Sequence, residues 1–220
     1  MKKIDVKGAI IADDIAWIYD YFGVSYCSPK VIHNAIAEAN GDRLDVYINS
    51  GGGDVFAGSE IYAALREYGG DVKIHVVGLA ASAASVIACA AKSEISPTGM
   101  LMVHNVSSMA EGDYHAMDKS SEVLQKANEA IASAYVAKTG MSMAEALALM
   151  DRETWLSAND AVAKGLIDEV SEGKNYQLVA SASGMIPTEI INKMMAEKAE
   201  KHERQKTQAN LKLMQLKGRI

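Results

Sequence analysis

A serine beside a turn, a histidine leaving an apolar segment and a run of glycines are parts from which nucleophilic acyl transfer can be built, and this chain has all three. In Gly78-Leu79-Ala80-Ala81-Ser82-Ala83-Ala84-Ser85, small residues behind an apolar segment let the backbone pack closely and leave a serine at a strand-to-helix turn. Such a turn can present a hydroxyl outward. Ser82 and Ser85 both qualify on position, and either could instead cap or pack in the helix, because serine is a favoured N-cap residue. Gly51-Gly52-Gly53 directly follows the apolar stretch Val46-Tyr47-Ile48-Asn49. Three glycines open dihedrals that other residues resist, so successive N–H groups can converge on one anion. No Gly-Lys-Ser/Thr follows and no G-x-G-x-x-G pattern is present, so an oxyanion hole is a better use than a phosphate cradle, with a plain tight turn as the alternative. Of the five histidines, His33, His115 and His202 fall on expected helices among charged neighbours and His75 is mid-strand. His104 alone passes from an apolar strand into a loop, which makes it the candidate base. Cys27 and Cys89 lack metal-ligand spacing and there is no H-E-x-x-H, so no metal is expected.

The elements that must position these residues repeat as strand, turn and helix. Strands are expected at 3–11, 44–48, 72–77, 100–103 and 166–170. Helices are expected at 29–39, 57–68, 80–91, 114–138, 143–150 and 158–164. Ser28 and Pro29 open the first helix and Asn40-Gly41 closes it; Ser157 with Asp160 approximates a capping box for the last. This alternation predicts an α/β fold with a parallel component. Composition shifts after Val170 to Ser, Gly and Asn, placing a main domain at 1–173, a linker at 174–187 and a charged helical tail at 188–220.

Composition narrows the partners. With 220 residues, 49% hydrophobic and 23% charged, the chain has material for one substantial core. Two cysteines make no disulfide scaffold, and a reducing, cytoplasmic setting is expected. Residues 1–186 carry 14 Lys and Arg against 24 Asp and Glu, whereas residues 187–220 carry 8 against 4. An acidic body argues against nucleic acid as the main ligand. The apolar run 74–91 is too rich in Ala and Ser for an isolated bilayer helix, so no membrane insertion is expected.

Four blocks then carry a resemblance. Val46 through Gly53, Gly78-Leu79-Ala80-Ala81-Ser82, Met102-Val103-His104-Asn105, and Trp155-Leu156-Ser157-Ala158 continuing to Gly165-Leu166-Ile167-Asp168 stand in the order of the signature blocks of the ClpP family of serine peptidases. The sequence resembles that family across most of residues 44–170, and most nearly the ClpP-related head-maturation proteases of bacteriophages and prophages. The resemblance implies a ClpP/crotonase-like fold of repeated ββα units, with 114–138 as a long handle helix. It makes Ser82 the nucleophile, His104 the general base, and the N–H groups of Gly53 and Ala83 the oxyanion donors. Ser85 becomes a packing residue. Glu153 stands where housekeeping members carry an aspartate, giving it the role of triad acid with Asp151 as the alternative. No cofactor is implied. The expected partners are a polypeptide substrate and further copies of the chain in a ring, heptameric or stacked. The expected function is a serine endopeptidase that cuts scaffold and capsid precursor inside assembling phage procapsids in a bacterial host. An ATP-dependent degradative subunit and a catalytically inactive structural ring are the alternatives; coenzyme A-binding crotonase relatives have no use for a serine–histidine pair. Ser50-Gly51-Gly52-Gly53 replaces the family's Ser-Pro-Gly-Gly while keeping the donor glycine. The segment before the first block is shorter than in housekeeping members and lacks the loop that lines the axial entrance, which counts against docking of an unfoldase ATPase.

Overall fold

The computed structural model describes residues 1–172 and 185–217, with side chains of the last helix described to residue 208. Charged and apolar residues alternate from Lys2, and this segment forms strand β1 (Lys2–Ile10), with Ile4 and Val6 buried and Lys3 and Asp5 exposed. A 3-10 turn (Asp13–Ile15) leads to α1 (Ala16–Phe22) and β2 (Tyr26–Cys27). Then follow α2 (Pro29–Ala39), β3 (Leu44–Gly53) and α3 (Val55–Glu67), whose N-cap Asp54 accepts the Ala57 N–H at 2.7 Å. Next come β4 (Val72–Ala81), α4 (Ala83–Ala88), β5 (Lys92–Ile95) and β6 (Met100–Val103). The chain continues through α5 (Tyr114–Thr139), α6 (Met143–Asp151), β7 (Thr154–Ser157) and α7 (Ala158–Ala163). It ends with β8 (Glu169–Val170) and α8 (Thr188–Lys217). Capping boxes open both α6 (Ser142 with Glu145) and α7 (Ser157 with Asp160).

Strands β2-β1-β3-β4-β5-β8 lie side by side and parallel. β4 pairs with β5 along Lys73–Val76 and then with β6 along Leu79–Ala81, while β7 runs antiparallel to β6. One strand thus serves two neighbours in succession and feeds Ser82 from its end. The main core lies between the apolar face of the sheet (Ile4, Val6, Leu44, Val46, Ile48, Ile74, Val76, Ile95) and the helices, among them Ile32, Ile61, Leu65, Ile87 and Tyr135. The opposite face is polar across the middle of β3, β4 and β5, unusually for a parallel sheet. There His75 sits between Asp45 (Nε2 to Oδ1, 2.9 Å) and Glu94 (Nδ1 to Oε1, 2.8 Å), stacked on Tyr47 with ring centroids 4.6 Å apart. Arg43 and Lys73 pair with the same two carboxylates.

Three differences from the sequence reading have physical causes. α1, β2, β5 and β7 were not expected: the three strands are only two to four residues long, and β5 reads Lys-Ser-Glu-Ile, too short and polar to signal alternation. The expected helix 80–91 is shorter, because Ala80 and Ala81 pair with Leu101 and Met102 and the chain breaks at Ser82. The apolar run 74–91 is accordingly divided between β4 and α4, and no helix among the described residues is long and apolar enough to cross a membrane. Of the expected linker, residues 174–184 lie outside the described residues. The tail forms α8, and its first turns are not free: Ile186 is buried, and Ile191, Met194 and Met195 pack with it against Ile11, Trp17, Ile18 and Tyr19. Lys198 lies over the Trp17 ring, 4.4 Å from its centroid.

Candidate active site

Ser82 is one of three non-glycine residues with positive φ among the described residues, at φ 55°, ψ −127°. A side chain at such dihedrals is strained, and the surroundings must hold it there. Three hydrogen bonds do so. The Ser82 N–H donates to the Met102 carbonyl (3.0 Å), and the Ser82 carbonyl accepts from both the N–H (2.9 Å) and the hydroxyl (2.6 Å) of Ser85. Thus the end of β4 is pinned to β6 on one side and to the first turn of α4 on the other.

β6 delivers His104 to the same place. Its Nε2 lies 2.8 Å from Ser82 Oγ, within one hydrogen bond. The loop after His104 is tied down at two points: the Val106 N–H donates to Asn128 Oδ1 of α5 (2.7 Å), and Asn105 Nδ2 donates to Asp151 Oδ1 (2.9 Å). A serine hydroxyl and an imidazole nitrogen so placed can pass a proton as the serine oxygen attacks a carbonyl carbon.

The glycine run closes the other side. Ser50 Oγ donates to the Gly8 carbonyl (2.6 Å) and accepts the Gly52 N–H (3.1 Å), stapling the end of β3 to β1. Gly52 (φ 93°) has no room for a side chain, since a Cβ there would fall 2.6 Å from Ser82 Cβ and 3.1 Å from the Ala83 nitrogen. Gly53 (φ 148°) is equally confined, 2.1 Å from the Ile10 carbonyl oxygen by the same construction. Gly53 and Ala83, at the first position of α4, therefore lie on the two segments that press against each other at Ser82.

Among the described residues, no carboxylate is hydrogen-bonded to His104. Glu153 is exposed, with φ 47°, and its Oε1 accepts from the Trp155 indole N–H (3.3 Å). Asp151 is occupied by Asn105. β6 and β7 end on the pair Val103–Thr154; His104 directly follows the one and Glu153, in the turn after α6, directly precedes the other. Burial pushes both cysteine thiols up to about 12, so neither Cys27 nor Cys89 offers a thiolate. Sequence reasoning missed the bond from Ser85 to the Ser82 carbonyl and the 2.8 Å contact between the Ser85 and Tyr135 hydroxyls. Fifty residues separate that serine and tyrosine, and no spacing rule connects them.

The Clp protease family model matches residues 29–174. This chain belongs to the Clp protease family. It is similar to the ATP-dependent Clp protease proteolytic subunit of Bacteroides fragilis, being 32% identical over 133 residues, or 59% of this chain, in each of two strains. The match covers 64% and 60% of those relatives' own lengths. A ClpP1 mutant from Listeria monocytogenes shares the fold, with a TM-score of 0.64 over 79% of this chain and 92% of that one, at 23% identity. Against the Clp protease match, one feature of this chain stands apart. Residues 1–28 and those beyond 174 lie outside it, and the small apolar cluster of Ala9, Ile11, Ile18, Tyr19 and Ile186, with Ile191, Met194 and Met195 packed on it, is built from those segments alone.

Proposed function

We propose that this protein is a serine endopeptidase of the ClpP type, with Ser82 as nucleophile and His104 as general base. The observation that carries this reading is the 2.8 Å Ser82–His104 hydrogen bond at a strained turn inside a Clp protease fold. His104 Nε2 takes the Ser82 proton as Oγ attacks the scissile carbonyl, then donates it to the leaving amine. The N–H groups of Gly53 and Ala83 hold the developing oxyanion. Glu153 completes the triad by turning from Trp155 to the Nδ1 side of His104. The substrates are polypeptides, and the working form is a homo-oligomeric ring of the heptameric type.

The biological setting we favour is processing of scaffold and capsid precursor during phage head maturation. Supporting it are the resemblance of the four blocks and the paired accessory segments outside the family match, which give this chain a surface different from that of a family core alone. The likeness to the ATP-dependent Clp protease proteolytic subunits of Bacteroides favours a second reading, an ATP-dependent degradative subunit. Incubation with unfolded protein and with a scaffold–capsid precursor separates the two: discrete cleavage of the precursor supports maturation, and processive degradation dependent on an unfoldase supports the second reading. For the chemistry itself, Ser82→Ala should abolish both fluorophosphonate labelling and peptide hydrolysis while the oligomer persists in sedimentation. Labelling that survives in Ser82→Ala and disappears in Ser85→Ala would move the nucleophile.

A further inference from the structure

Ser85 and Tyr135 form a buried polar pair in an otherwise apolar region: Ser85 is fully buried and Tyr135 is 2% exposed, with their oxygens 2.8 Å apart. The direction of that bond follows from counting hydrogens. Ser85 has one hydroxyl hydrogen, and the Ser82 carbonyl at 2.6 Å has none to offer, so the hydrogen of Ser85 goes to Ser82. Tyr135 must then be the donor to Ser85 Oγ. The phenol remains protonated to serve in this way, because burial raises its pKa beyond the opposing influence of the Ser85 bond.

We infer that Tyr135 is a positioning residue for the nucleophile, acting through Ser85 on the Ser82 carbonyl. The relay runs from α5 to the one peptide unit whose strained dihedrals aim the Ser82 hydroxyl at His104. A donor on Ser85 Oγ strengthens the bond that Ser85 itself donates, because hydrogen bonds in a chain polarise one another in a low-dielectric interior. That stronger bond holds Ser82 at ψ −127° against relaxation toward ordinary dihedrals. Tyr135 touches no reacting atom, so its loss should change the rate of attack and leave substrate binding alone.

This inference rests on the reading of Ser82 as nucleophile, and the experiment separates the two. Tyr135→Phe removes one oxygen, Ser85→Ala removes the relay, and the double variant removes both. Each is measured for kcat, KM, the second-order rate of fluorophosphonate labelling and thermal midpoint. Tyr135→Phe should lower kcat and the labelling rate about five- to tenfold, the scale of one neutral hydrogen bond, with KM unchanged. The double variant should be no slower than Ser85→Ala, since Tyr135 has no route to Ser82 without Ser85. A labelling rate unchanged in Tyr135→Phe overturns the inference, as does a multiplicative loss in the double variant. If Tyr135→Phe does not fold, Ser85→Ala decides: a full wild-type labelling rate there overturns it too. Labelling that persists in Ser82→Ala instead defeats the nucleophile assignment.

Discussion

Glu153 holds two features at once: a place next to Thr154, the residue paired with His104's neighbour Val103, and a side chain bonded to the Trp155 indole. As the proposed acid, it must exchange one exposed hydrogen bond for one to imidazole, a small cost at a solvated site. Glu153→Gln should therefore lower kcat about a hundredfold or more, because only a carboxylate at Nδ1 fixes the tautomer and stabilises the imidazolium. Asp151→Asn, which disturbs only the tie to Asn105, should cost less than about threefold. Peptide hydrolysis by the two purified variants ranks them, and the reverse order would transfer the role to Asp151. At this scale the sequence carried much of the candidate site. Gly52 and Gly53 were recognisable because close backbone approach leaves a glycine signature, and His104 because it leaves an apolar strand. Tyr135 and Ser85 were not, since an oxygen that works through a tertiary contact has no pattern in one dimension.

The end of α5 is clamped to the sheet by one carboxylate. Asp168 Oδ2 accepts the Ser93 N–H (2.6 Å), the Ser93 hydroxyl (3.1 Å) and the Lys138 ammonium, which also donates to the Ala91 carbonyl (2.8 Å). Burial works to raise the Asp168 pKa, but Lys138 and Ser93 outweigh it and hold the group below its ordinary value. A carboxylate depressed in the folded state adds stability above its unfolded pKa and loses it as pH falls through the folded value. Asp168→Asn should thus lower the denaturation midpoint of the sheet core by about 2–4 °C near neutrality, with the gap to wild type closing below about pH 4. Calorimetry across that range checks it; a gap that persists in acid would assign the loss to packing instead of charge. The Gly165-Leu166-Ile167-Asp168 block, read from sequence as a family signature, is in this light a structural clamp. Helices with marked boundaries, such as α2 between Pro29 and the left-handed Asn40 and α7 behind the Ser157–Asp160 capping box, were legible nearly to the residue. α4 was not, because alanine is equally at home in β4 and in the helix beyond it, and only the pairing with β6 decides where one ends.

At the scale of the whole molecule, the segments flanking the family match meet on Trp17 and its neighbours. From sequence, residues 188–220 read as a charged helical tail set apart from the main domain by a linker. The packing divides it: the turns through Lys198 contribute to a cluster, and residues 199–208 are exposed. Ile186, Ile191, Met194 and Met195 bring about 3–6 kcal/mol of gross apolar burial. Ending the chain after Lys198 should leave Trp17 emission unchanged in a Trp155→Phe background. Ending it after Gly173 should shift that emission to the red while the sheet core still folds; no shift would mean that α8 does not cover Trp17 in solution. Among the described residues the cluster shares none with the main core, yet Ile11 sits beside Ile10, whose carbonyl accepts the Asp54 N–H at 2.8 Å and confines Gly53. The packing of the two flanks thus backs the brace behind the glycine loop, which ties the firmness of Gly53 to segments that lie outside the family match.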